Sequence, residues 1–225
     1  MKKIVILSGA GISAESGIKT FRDSDGLWEE YNVMDVASIE GWYRDPQLVI
    51  EFYNKRRKQL ATCEPNDAHL LLAKLESQFD IQIITQNVDN LHERAGSSEV
   101  LHLHGELTKV KSIHNDSLIT DIGYSDIQIG DCASDGAQLR PFIVWFGEAV
   151  PLLEKAIAMV QKADVFVIIG TSLNVYPASG LVNYVQPGVP IYIIDPNNVE
   201  STRDAIHIKQ NATEGVKSLQ KLLGL

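Results

Sequence analysis

With 225 residues, 44% hydrophobic and 22% charged, the chain has ordinary globular composition and enough length to bury a substantial core. Its formal net charge of −9 argues against indiscriminate binding to nucleic acid or anionic membrane, whose phosphates it would repel. Two cysteines, Cys63 and Cys132, with no CxxC pair, exclude a disulfide framework and a four-cysteine zinc site. No stretch approaches the ~20 apolar residues of a membrane helix, and the short Ile4–Leu7 run is no signal-peptide core, so a cytoplasmic protein is expected.

In chain order, Lys3 to Leu7 is a β-branched apolar run that suits a strand buried on both faces of a parallel sheet. Ser8 to Gly17 follows with three glycines, reading as a tight turn into a helix. Residues 22–60 are rich in aromatics, among them Trp28, Tyr31, Trp42 and Phe52, and suggest short helices covering a cleft. Asn66 to Gln78 has a helical pattern, and Ile81 to Ile84 is a second strand. Residues 106–139 are polar, alternate weakly around Ile127-Gln128-Ile129, and suggest a small β-containing lobe. Helix-like Leu152–Gln161, strands Val165–Ile169 and Ile191–Ile194, and helix-like Ala212–Leu223 complete the chain. Strands alternating with helices predict an α/β fold, a Rossmann-like doubly wound parallel sheet, over a single domain of residues 1–225. Ligands of such sheets bind outside the carboxyl ends of the strands.

Several polar loops fall at those ends. Gly9-Ala10-Gly11 and Ser13 could admit a pyrophosphate against a helix N-terminus, although the spacing is not GxGxxG and a plain glycine turn explains it equally well. Gln86, Asn87, Val88 and Asp89 could hold a carboxamide and ribose hydroxyls, or simply cap the next helix. Alternation in Leu101-His102-Leu103-His104-Gly105 places both histidines on one side of an extended segment, and a histidine is the usual general base for a hydroxyl. A paired-histidine metal site has no third ligand in view. Arg140 to Glu148 reads as an extended stretch able to pair with a peptide, or as an ordinary core strand. Gly170-Thr171-Ser172 offers hydroxyls and N–H groups, and Asp195 stands either as a ribose ligand or as a turn residue.

The strings GAGISAESGIKTFRD, TQNVDNLHERAG, HLHGEL, RPFIVWFGE and GTSLNVYPA, in this order, resemble the sirtuin family of NAD-dependent protein deacylases. The match runs from Ile4 to the C-terminal helix with its main interruption at 106–139, and is nearest to the bacterial deacetylase and desuccinylase type without zinc cysteines. The resemblance implies a catalytic His104, with Asn87 and Asp89 at the nicotinamide and ribose end of the NAD site. It implies NAD contacts for Gly9, Ala10, Gly11, Ser13, Phe21, Arg22, Trp28, Gln86, Val88, Gly170, Thr171, Ser172, Asp195 and Ala212. It gives Val144, Trp145, Phe146 and Gly147 to the acyl-lysine peptide. The implied reaction releases nicotinamide and transfers the acyl group to ADP-ribose, with His104 as base on a ribose hydroxyl.

Tyr53 and Arg56 lie three residues apart, hence on one helix face, and resemble the Tyr-x-x-Arg pair of sirtuins that accept succinyl or malonyl lysine. Arginine can make charge-assisted bonds to a terminal carboxylate. A basic helix face is the alternative, since Lys55, Arg57 and Lys58 adjoin, but in the family context the carboxylate-binding reading is preferred. Three departures from the family stand out. Only Cys132 and His114 occupy the interval that holds zinc cysteines in many members, so no metal is expected and the lobe must be held by its own packing. Lys19 replaces a usual proline. Phe142 and Asp195 replace a common histidine and asparagine. Acyl-lysine proteins are the implied partners, and a monomer is expected. An NAD glycohydrolase or ADP-ribosyltransferase using the same pocket, and a non-catalytic NAD or ADP-ribose binding module, are the alternatives. A dehydrogenase is disfavoured by the glycine spacing.

Overall fold

The computed structural model describes residues 1–18 and 31–224; Lys19, Phe21, Arg22 and Trp28 lie outside the described residues. Nine strands are present among them: β1 (Lys3–Ser8), β2 (Asp80–Thr85), β3 (Val100–His102), β4 (Gly105–Ser112), β5 (Ile119–Asp121), β6 (Leu139–Ile143), β7 (Val165–Ile169), β8 (Ile191–Ile194) and β9 (Ile206–Ile208). Six of them form a sheet in the order β3-β2-β1-β7-β8-β9, and every neighbouring pair is parallel. This agrees with the doubly wound sheet expected from the sequence, and the order reverses between β1 and β7.

Period-two alternation decides which face each strand residue serves. Val5, Leu7, Phe166, Ile168, Ile191 and Ile193 point to one side, where helix Leu153–Val160 and the 3-10 helix Ala178–Tyr184 cover them. Ile4, Ile6, Ile81, Ile83, Val165, Val167 and Ile169 point to the other, against helices Asp67–Leu75 and Ala212–Leu222. Helix Asp67–Leu75 starts where Asn66 accepts the Ala68 N–H at 2.9 Å while His69 Nδ1 accepts the Asn66 N–H at 3.3 Å, a reciprocal cap.

A second, antiparallel sheet, β5-β4-β6, forms the lobe. Its strands are not where the weak alternation suggested. Ile127-Gln128-Ile129 is irregular, with Ile127 buried beneath helix Pro46–Thr62, while β5 is the exposed Ile119–Asp121. The aromatic segment likewise differs from a set of short helices. Val33–Val36 and Ile39–Arg44 are short, but Pro46–Thr62 runs for 17 residues, started by Asp45 as cap and Pro46 in the first turn.

That long helix anchors the lobe. Asn54 Nδ2 donates to Ile127 O at 2.8 Å and its Oδ1 accepts the Ile127 N–H at 3.2 Å. One turn on, Arg57 is fully buried and donates to Ser125 O at 3.0 Å, to Leu107 O at 3.4 Å and to Asn54 Oδ1. Burial lowers the Arg57 guanidinium to about 10, with Asp126 opposing the shift, so it stays charged at neutral pH. Within the lobe, Gln138 accepts the Gly130 N–H at 2.7 Å and donates to Gln128 O at 3.0 Å, tying the loop ends together. Among the described residues no three His, Cys, Asp or Glu gather to hold a metal ion; Cys132 is exposed and Cys63 buried. No described helix is long and apolar enough to cross a membrane.

Because Asn54 satisfies both polar groups of Ile127, Asn54→Ala is expected to destabilise the protein by about 1–3 kcal/mol. Hydrogen exchange should then quicken first around Ser125–Gln128. Unchanged protection there would refute the anchoring role.

Candidate active site

The reversal point between β1 and β7 is where the two strands' following loops meet. Gly9 N donates to Ile169 O and Gly11 N to Gly170 O, both at 2.9 Å. A Cβ on Gly11 would lie 2.6 Å from Gly170 Cα, and one on Gly170 would lie 2.4 Å from Ile12 N, so only glycines permit the crossing. The loop after β1 is not the expected turn into an α-helix. It consists of two 3-10 turns, Ala10–Ile12 and Ala14–Ser16, and Gly17 at φ +87° ends the second.

Above this crossing opens a cavity of about 850 Å³, within the range of small-molecule and cofactor sites. Gly9, Ala10, Gly11, Gly170, Thr171 and Ser172 line its floor from β1 and β7, and Asp195 and Ala212 line it from the β8 side. Gln86, Asn87, Val88 and His104 line another wall. Val144, Trp145, Phe146 and Gly147 face the same space, as do Tyr53 and Arg56 from helix Pro46–Thr62. Gln86 Nε2 donates to Thr171 Oγ1 at 3.1 Å, joining two walls across the floor.

Two predicted residues stand behind the wall instead of in it. Ser13 is fully buried and donates to Asp89 Oδ2 at 3.0 Å while accepting from Asn87 Nδ2 at 3.1 Å. Asp89 also accepts the Leu91 N–H at 3.1 Å and faces a smaller recess that it shares with Arg56. Burial raises the Asp89 carboxyl, with the bonds from Leu91 and Ser13 opposing. Ser13 thus holds Asn87 from beneath and is itself held by Asp89.

The two histidines are also separated in role. β3 ends at His102 and residues 103–104 form a turn, so strict alternation does not persist. His102 is buried, donates to Asn87 O at 3.0 Å through Nδ1 and meets Glu93 at 2.7 Å through Nε2. Burial disfavours its charge, but Glu93 outweighs this and raises it. His104 instead lines the cavity, and its Nδ1 lies 3.0 Å from Gln86 O. A carbonyl can only accept, so Nδ1 carries the proton and the Nε2 lone pair is left to act as a base. Burial lowers His104, partly offset by the Gln86 carbonyl.

A polar layer that sequence reasoning missed lies below. His92 Nε2 is 3.0 Å from Ser8 Oγ, which donates to Thr85 Oγ1 at 2.9 Å. His69 and His92 pack edge to face, 4.9 Å between ring centroids. Burial lowers His69 to about 4 and His92 well below its ordinary value, so both are neutral supports. Ser8 and Thr85 close their strands, which is the one signal that could have marked them. The extended Arg140–Glu148 stretch also needs correction. Regular β6 stops at Ile143, and Phe146 pairs its N–H with Ala37 O at 2.9 Å and its O with Ile39 N at 3.2 Å. Phe146 is therefore already engaged by the Ala37–Ile39 segment.

Comparison with known proteins gives a consistent picture. A model of the Sir2 family matches residues 9–177. An NAD-dependent protein deacylase of Bacteroides thetaiotaomicron is 58% identical over 230 residues, covering 99% of this chain and 98% of that protein. An NAD-dependent protein deacylase of Helicobacter pylori is 53% identical over 225 residues, covering 99% and 98%. Among solved structures, a Sir2 homologue in complex with ADP-ribose superposes with a TM-score of 0.89 at 39% identity, covering 100% of this chain and 94% of that one.

The glycine crossing generates a direct test. Gly11→Ala should force the β1 and β7 loops apart and destabilise the protein by about 1–3 kcal/mol. A melting temperature equal to that of the unaltered protein would show that the loops can yield without penalty.

Proposed function

The chain belongs to the Sir2 family and is an NAD-dependent protein deacylase, and we propose that its acyl pocket is built for lysine modifications ending in a carboxylate. Succinyl and malonyl lysine are the intended class, with acetyl lysine also accepted. The observation that carries this reading is the placement of Tyr53 and Arg56 on one wall of the cavity. Arg56 is half-buried, and loss of hydration lowers its guanidinium, opposed by Tyr53 and Asp89. Burial pushes the Tyr53 phenol up to about 12, so it remains a hydroxyl. A cation and a neutral hydroxyl in a dehydrated recess suit a carboxylate better than a methyl group.

The cavity's chemistry fits the dinucleotide. Its floor is made of backbone and small side chains at a sheet reversal point, where a pyrophosphate can come close to the main chain. In our reading Gly9, Ala10, Gly11, Gly170, Thr171 and Ser172 hold the phosphates and adjoining groups, with Asp195 and Ala212 at the adenosine end. Gln86, Asn87 and Val88 hold the nicotinamide and ribose end, positioned from beneath by Ser13 and Asp89. Phe21, Arg22 and Trp28 are assigned to the cofactor loop on family likeness. NAD, when bound, would supply a ribose carbon that the acyl oxygen attacks as nicotinamide leaves; with one water the lysine amine is released and the acyl group stays on ADP-ribose. His104 Nε2 then takes the proton of a ribose hydroxyl, and Val144 to Gly147 hold the acyl-lysine peptide. Residues 1–225 act as one catalytic domain, and its net charge of −9 supports protein partners over nucleic acid or membranes. A cytoplasmic monomer completes the proposal.

The first test is mass spectrometry of products from NAD with matched acetyl- and succinyl-lysine peptides, and with no peptide. O-acyl-ADP-ribose formed from both peptides is expected. Nicotinamide release without peptide, both peptides remaining intact, would make the protein an NAD hydrolase instead. Arg56→Met should lower kcat/KM on the succinyl peptide at least ~30-fold, and much less on the acetyl peptide. Equal losses would rule out a carboxylate-binding Arg56. For His104 the base must be neutral, and its value is depressed below the ordinary 6.5. Activity should therefore persist as pH falls through 6.5 and decline only below it, and His104→Ala should lose about 10²–10⁴-fold. An acid limb centred above 6.5 that persists in His104→Ala would assign the base elsewhere.

A further inference from the structure

Trp145 stands at the centre of a clamp that the acyl-transfer chemistry does not itself require. Its indole is buried and packs against Trp42, 5.5 Å between centroids at 30°. The guanidinium of Arg140 lies over the indole at 3.5 Å. Arg140 is held in turn by Glu148 through two bonds of 2.7 and 3.0 Å, and donates to Ile143 O at 2.9 Å. Glu148 closes the ring by accepting the Trp145 backbone N–H at 2.8 Å. Arg140, Trp145 and Glu148 thus lock one another in a single orientation.

The locked indole has one polar atom to offer. Trp145 Nε1 lies 3.0 Å from Tyr53 Oη. Indole N–H can only donate, so the direction of this bond is settled by chemistry: Tyr53 is the acceptor. The phenol has a single proton, which cannot point at Trp145. Tyr53 lines the cavity beside Arg56, so its proton is left available to a group bound there.

We propose that Trp145 is a positioning residue for acyl selectivity, turning the Tyr53 hydroxyl into a fixed donor toward the carboxylate of an acidic acyl group. The inference rests on the carboxylate reading of Tyr53 and Arg56 and deepens it. Without the indole N–H, the phenol proton could turn to either side in the empty pocket, and that freedom would have to be given up each time a carboxylate binds. An acetyl group has no carboxylate for this proton to meet, so the effect should appear in the ratio of the two activities.

The test is a double-mutant cycle read on matched acetyl and succinyl peptides with saturating NAD. Trp145→Phe keeps an aromatic ring between Trp42 and Arg140 but removes the donor; Tyr53→Phe removes the hydroxyl and leaves the clamp intact. Trp145→Phe should lower the succinyl-to-acetyl ratio of kcat/KM about tenfold, chiefly through a higher KM for the succinyl peptide. Tyr53→Phe should lower it at least as far, and the double variant no further than Tyr53→Phe alone. Equal losses on both peptides in Trp145→Phe, or losses of ratio that multiply in the double variant, would overturn the inference. So would an unchanged ratio in Tyr53→Phe, whether or not Trp145→Phe folds. Absence of succinyl turnover by the unaltered protein would overturn the carboxylate reading itself, and this inference with it.

Discussion

Gly11 and Gly170 come so close that neither could carry a side chain, and the remainder of the site is arranged around that contact. The sheet reverses its winding between β1 and β7, which sends the two following loops toward opposite faces and leaves a crevice above them. Bulk at the crossing would fill that crevice. Its absence lets main-chain atoms line the floor, while selective side chains arrive from the walls. Floor and walls are thereby contributed by different parts of the chain.

Beneath the floor, polar groups are organised so that few need carry charge. His69 and His92 are neutral through burial, and Ser8, Ser13 and Thr85 pass hydrogen bonds between them and the Asn87–Asp89 loop. His102 takes the opposite course and is paired with Glu93. The result is one loop, residues 86–89, gripped through main-chain carbonyls by both His102 and His104 and through side chains by Ser13. Such over-determination fixes the wall of the cavity that Gln86, Asn87 and Val88 line, and fixed geometry is what positioning catalysis requires.

The sequence was most legible where periodicity is strongest. Runs such as Val165–Ile169 declared the central strands because both faces are buried, and helix Asp67–Leu75 was announced by its apolar spacing. The three-residue edge strand β9 escaped notice because Ile206 and His207 are exposed and pattern is weak there. Ile127-Gln128-Ile129 misled for a related reason: Ile127 is apolar to fill a space under a helix, and not to face a sheet. At the site, many of the residues singled out at the strand ends do line the cavity, but their depth was not legible. Sequence order placed Ser13 and Asp89 near the ligand, but only packing shows that they stand behind Asn87. The tautomer of His104 and the direction of the Trp145–Tyr53 bond were equally unreadable, since both depend on partners distant in the chain.

Helix Pro46–Thr62 presents Tyr53 and Arg56 to the cavity and, one residue further round, Asn54 and Arg57 to the lobe. Successive positions on a helix are separated by about 100°, so these two pairs occupy adjoining sides of the same rod. Its rotational setting is therefore specified twice, and neither pair can be adjusted without turning the other. A Tyr-x-x-Arg signature transplanted onto a helix without carbonyl partners like those of Ser125 and Ile127 would be free to roll, carrying the guanidinium away from the cavity. What looks portable as a two-residue code is in practice a property of a helix together with the lobe that grips it.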